Sequence, residues 1–156
     1  MLNKTQQLLA YLVKNHQKAS ITVLMKLSYL IDLVSIKRTG KAITHYKYIR
    51  YYYGPFDNTI NGDIQKLMEE KVIEAKSKFV PSGEEYVVYN FNEECDLSLV
   101  LDAAELKIID EVLENVNGYG ARALTEIAYK TKPMLKIGAT LGGNEHLYEV
   151  LDMKAS

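Results

Sequence analysis

Along the first part of the chain apolar residues recur at helical spacing, with Leu8, Leu9, Leu12 and Val13 on one face and Thr5 placed to cap, which predicts a helix over residues 5–14. A polar break follows at residues 15–19. Ser20 then opens a second helix, over residues 20–37, whose apolar positions (Ile21, Val23, Leu24, Leu27, Leu30, Ile31, Leu33, Val34, Ile36) go nearly all round. Such a helix is buried on several sides and is expected to be the central element of the core. Lys26 interrupts its apolar pattern one turn from Tyr29; the expectation is that its stem packs while its ammonium snorkels to water, the other reading being a buried charge retained for a partner. Lys37 and Arg38 suit a helix C-terminus, and Gly40 ends the helix.

Residues 44–53 read either as a short third helix or as an extended segment, and Gly54-Pro55 must stop it, because proline disfavours helical geometry in the residue before it. Asp57 is a good N-cap for a helix through residue 70, with Ile60, Ile64, Leu67 and Met68 inward. Two strands, over residues 72–80 and 86–91, flank a Pro81-Ser82-Gly83 turn, so a hairpin follows that helix as in a winged helix. Asp102 and Glu105 form a capping box for a helix whose stripe of Leu106, Ile109, Leu113 and Val116 runs to Asn117-Gly118. A further helix covers residues 121–130, Pro133 ends or kinks it, and Asn144 can cap a last short helix through residue 151. The fold class is therefore mainly α (α+β): one helical domain across residues 1–156 with one winged-helix-like β-hairpin.

With 156 residues, 47% apolar and 25% charged, the chain has the composition of a single globular domain. Its apolar runs are broken by Lys26, Ser28 and Asp32 before reaching the roughly 20 residues a membrane span needs, and its polar start lacks the pattern of a signal peptide, so a cytosolic protein without membrane contact is expected. The single cysteine, Cys95, excludes an internal disulfide, and its acidic surroundings argue against a nucleophilic thiolate. The net charge of −1 conceals an asymmetry: residues 33–56 carry five Lys or Arg and no acid, whereas residues 84–115 carry ten acids and one base.

The stretch 44–55 packs five tyrosines among His45, Lys47 and Arg50, the residue types that anchor interfaces, and Lys47 and Arg50 are the expected contact residues. Binding of nucleic acid is disfavoured, because the helix before the hairpin carries Asp63, Glu69 and Glu70 against Lys66, and the hairpin tip carries Glu84 and Glu85. Residues 118–123 match the letters of a dinucleotide fingerprint, but a helix precedes them where a strand is required, so the glycines read as a turn and no cofactor is expected. His16, His45 and His146 are far apart and read as ordinary surface histidines, so neither a metal site nor a catalytic centre is expected.

Three segments together carry a family resemblance: Lys26-Leu27-Ser28-Tyr29-Leu30-Ile31-Asp32, then Thr39-Gly40-Lys41-Ala42-Ile43-Thr44, then Tyr53-Gly54-Pro55-Phe56. In order and spacing they resemble the Panacea (SocA-like) antitoxin domain, over about residues 8–91 and more loosely to Pro133. The chain departs from that pattern at Lys71, where a glycine often follows the helix, in lacking a histidine between Thr125 and Pro133, and at Met134, where an aromatic is usual. The resemblance implies a mostly helical domain of phage and toxin–antitoxin loci that neutralises a cognate protein toxin by contact, in some members by presenting it for proteolysis. Lys26, Tyr29, Tyr46, Lys47, Arg50 and Tyr53 are the expected partner-binding residues, with Gly40, Gly54 and Pro55 as structural positions. The alternative is a winged-helix-like DNA-binding transcriptional regulator, and an enzyme ranks third.

Overall fold

The structure, a computed structural model, describes residues 2–97 and 100–155. Its elements run α1 (Lys4–Asn15), α2 (Ile21–Thr39), β1 (Ile49–Tyr51), β2 (Gly54–Phe56), α3 (Ile60–Glu69), β3 (Ile73–Phe79), β4 (Glu85–Phe91), α4 (Ala103–Asn115), α5 (Ala121–Tyr129) and α6 (Lys132–Lys136). The fold is mainly α, as the hydrophobic pattern requires. α2 is its axis: the consecutive residues Leu24, Met25, Lys26 and Leu27 are all buried although they point to different sides of the helix, which packs against α1, α4, α5 and β2. One apolar core joins all of these elements. Each fully buried side chain of this size contributes about 1.5–3 kcal/mol. Ser20 caps α2 by accepting from Val23 N–H, and Gly40 ends it in the left-handed conformation at φ +80°, both as expected.

Several boundaries differ from expectation, each for a local reason. α1 is capped by Asn3 in a capping box with Gln6, and Thr5 lies inside the helix, where its hydroxyl accepts from His45 N–H. Asp57 does not cap α3. Its carboxylate accepts instead from Thr59 and from the backbone of Lys47, and the helix begins at Ile60. Pro133 lies in the first turn of the separate α6, where a missing N–H costs nothing.

The tyrosine-rich segment is extended, not helical. Tyr46, Tyr48 and Arg50 are buried while Lys47 is exposed and Ile49 and Tyr51 are half-buried, a period of two that strands require. It ends in a second hairpin, β1 pairing β2 with Arg50 opposite Pro55, so the Gly54-Pro55 pair sits in a strand and does not end a helix. The helix expected after Asn144 is absent, because His146 and Tyr148 adopt positive φ. That segment runs antiparallel to β1: Arg50 N–H donates to Glu149, Tyr148 N–H to Arg50 and Leu151 N–H to Tyr48. It thereby satisfies an edge that would otherwise be open.

The expected hairpin of β3 and β4 follows α3 and pairs from Ile73 with Phe91 to Phe79 with Glu85. Only its base is buried, at Ile73, Val88 and Tyr89; the remainder projects into solvent with Phe79 67% exposed.

Candidate functional site

The floor of the site is a buried carboxylate. Asp32, on α2, accepts from Ile43 N–H at 2.8 Å, Thr44 N–H at 3.1 Å, the Thr44 hydroxyl at 2.5 Å and the Tyr48 hydroxyl at 2.7 Å. Burial pushes its carboxyl above the usual range, and the four donors oppose that push. Four donors on one buried acceptor pin the start of the extended segment to the axis helix. Asp63 does the same from α3, accepting from the Tyr46 hydroxyl at 2.7 Å and from Gln6 at 3.1 Å. Asp63 is therefore turned inward, and the expectation that it adds negative charge to an exposed face is corrected.

The next layer holds two cations without a carboxylate. Lys26 is buried and does not snorkel; its ammonium donates to the carbonyl of Pro55 at 3.1 Å, and desolvation pushes its pKa down to about 8. Arg50 is fully buried, which corrects the expectation of an exposed handle. Its guanidinium donates to the carbonyls of Tyr51, Thr140 and Gly143, and stacks 5.3 Å over the Tyr129 ring. Gly54 stands between these groups. A Cβ there would lie 3.4 Å from both Lys26 Cε and Tyr129 Cε2, and its φ of +103° suits glycine alone. The cations thus hold β2 and the 140–143 loop through backbone carbonyls.

The outer surface is aromatic. Tyr51 is ringed by Phe56, stacked at 5.0 Å, Tyr52 at 5.0 Å and Tyr148 at 5.9 Å. Tyr52, Tyr53 and Tyr148 are exposed by 46%, 70% and 58%, and Val150 by 70%. Residues on a pinned hairpin present such rings at low conformational cost.

Of the expected contact residues the structure puts Lys47 and Tyr53 on the surface. Lys26, Tyr29, Tyr46 and Arg50 lie inside, Tyr29 donating to or accepting from the Thr131 hydroxyl at 2.7 Å and packing edge-on against Tyr48. Sequence reasoning did not single out Tyr148 and Asp32. The signal for Asp32 was present, a carboxylate on a helix apolar all round; Tyr148 gave none, because its place depends on a pairing 98 residues away in the chain, with Arg50. His16 is buried against the Tyr119 carbonyl and is not a surface residue. Among the described residues no group of three His, Cys, Asp or Glu converges as a metal site, and no helix is long and apolar enough to cross a membrane.

A family model described as antitoxin SocA-like, Panacea domain, matches residues 24–133. That span runs from the first turn of α2, through both hairpins, to the start of α6. Neither a curated protein nor a solved structure matches the chain.

Proposed function

The chain belongs to the SocA-like antitoxin family with the Panacea domain, and from that premise we propose that it binds and neutralises a cognate protein toxin in the cytosol by direct contact. The observation that carries this reading is the aromatic patch formed by Tyr51, Tyr52 and Tyr53 of the first hairpin with Tyr148 of the segment paired to β1, exposed at its rim and fixed beneath by the Asp32 and Asp63 networks. Tyrosines clustered on rigid backbone are typical energetic anchors of protein interfaces. Lys47, exposed on the outward side of the same segment, supplies a cationic handle for an acidic toxin surface. On this reading the buried Lys26, Arg50, Tyr29 and Tyr46 act by holding the patch in place, and presentation of the toxin to a protease would use the same surface.

The test is co-expression with a candidate toxin, such as the product of any small reading frame found beside the gene. The native chain should restore growth and co-purify with the toxin; Tyr53→Ala with Tyr148→Ala should do neither while keeping its thermal melt. Rescue by that double variant would move the interface off the hairpin.

A further inference from the structure

A second surface has a chemistry of its own. Where the C-terminal half of α2 meets the α5–α6 junction and the 153–155 segment, a groove of roughly 680 Å³ opens to solvent. Leu33 and Ile36, one turn apart on α2, floor it together with Met153, and all three are only partly buried. Lys37, Lys130, Lys132 and Lys154 form its rim, from three separate parts of the chain, and all four are exposed. No acidic residue lines the groove, and among the described residues none of these four lysines is held in an ion pair. The nearest carboxylate in sequence, Asp152, is turned to Lys136 at 2.6 Å. We propose that this groove receives an acidic amphipathic segment of the toxin, its apolar stripe on Leu33, Ile36 and Met153 and its carboxylates on the lysine rim.

The inference rests on the antitoxin reading and adds the chemistry of the segment that the partner must offer. Two features select a protein segment over a nucleic acid. The lining holds neither an aromatic ring nor an arginine on which bases could stack, and its floor is aliphatic. An apolar stripe flanked by charge is the shape that a helix laid in a groove presents, and four exposed lysines outside any ion pair raise the local concentration of an anionic partner.

The experiment uses the full chain and three labelled probes at about 150 mM salt. They are an amphipathic peptide of roughly 18 residues with leucines at helical spacing flanked by glutamates, its lysine-for-glutamate counterpart, and a DNA duplex of about 20 base pairs. The glutamate peptide should bind, shifting the NMR methyl signals of Met153 and Ile36, and the lysine peptide should not. The combination Lys130→Glu, Lys132→Glu and Lys154→Glu should weaken that binding by at least about tenfold with an unchanged melt. Absence of glutamate-peptide binding, equal binding of both peptides, tighter binding of the duplex, or indifference to the three substitutions would each overturn the proposal. The antitoxin reading fails by a different result, a native chain that rescues no toxin. A groove variant that still rescues and still co-purifies with the toxin would leave that reading standing while removing the groove from it.

Discussion

The Lys26 ammonium donates to the Pro55 carbonyl across 3.1 Å, so the N-terminal half of the axis helix and the second strand of the tyrosine hairpin are joined by a buried charge whose acceptor is neutral. Such a charge costs stability. Its pKa falls from 10.5 to about 8 by desolvation, so between these values the unfolded chain binds the extra proton and stability rises with pH. Below pH 8 the cost is present in full. Above about pH 10 the trend reverses, because unfolded tyrosines ionise while buried Tyr29, pushed up to about 12, stays protonated. Lys26→Met should therefore be neutral or stabilising by about 1–3 kcal/mol at pH 7. Urea unfolding across this range should also show the alkaline rise removed; a rise that persists in the variant would assign it to another group.

Asp32 is predicted to be the most sensitive position of the interior. Asp32→Ala leaves the Tyr48 and Thr44 hydroxyls and two backbone N–H groups without their acceptor, at a cost of about 3–5 kcal/mol. Tyr48→Phe alone should cost about 1–3 kcal/mol, and less than that in the Asp32→Ala background. Equal costs in both backgrounds would mean that the two side chains are not coupled.

The helices were legible because their signals are local. The stripe of α4 with its Asp102–Glu105 box, and the all-round apolar pattern of α2 with Ser20 and Gly40 at its ends, each need only neighbouring residues. The course of residues 44–56 was not legible as one conformation, since its strand form depends on Asp32, Asp63 and the distant 148–151 segment. The same dependence hid the site. Lys47 and Arg50 are alike in sequence terms, and only the period of two, anchored by Asp32 beneath Tyr48, turns one outward and the other inward.

Lys71, between α3 and β3, adopts a φ of +59°, in the left-handed region that favours glycine. A side chain in the left-handed region costs about 1–2 kcal/mol, part of which the greater freedom of unfolded glycine offsets. Lys71→Gly should raise stability by about 0.5–1 kcal/mol, measured by thermal and urea melts. Lys71→Val should lower it, and a valine variant as stable as the native chain would contradict the assigned backbone.

Lys47 and Arg50 should respond oppositely to charge reversal. The Arg50 guanidinium is fully buried and donates to the carbonyls of Tyr51, Thr140 and Gly143, while its backbone pairs with Tyr148 and Glu149. A carboxylate in its place would face those carbonyls with no donor, so Arg50→Glu should cost about 3–5 kcal/mol. Arg50→Glu should also free the 148–151 segment, seen as faster hydrogen exchange at Tyr148 and Leu151. Lys47 contributes only its backbone N–H, to Asp57, and its side chain is exposed. Lys47→Glu should shift stability by no more than about 0.5 kcal/mol. Against an acidic toxin surface it replaces attraction by repulsion, and binding should fall by about tenfold or more. Calorimetry of each variant with the toxin, beside its melt, separates the two roles. An Arg50→Glu protein with a native melt would mean that the guanidinium does not hold the hairpin, and an unchanged affinity in Lys47→Glu would place the toxin away from the outward side of this segment.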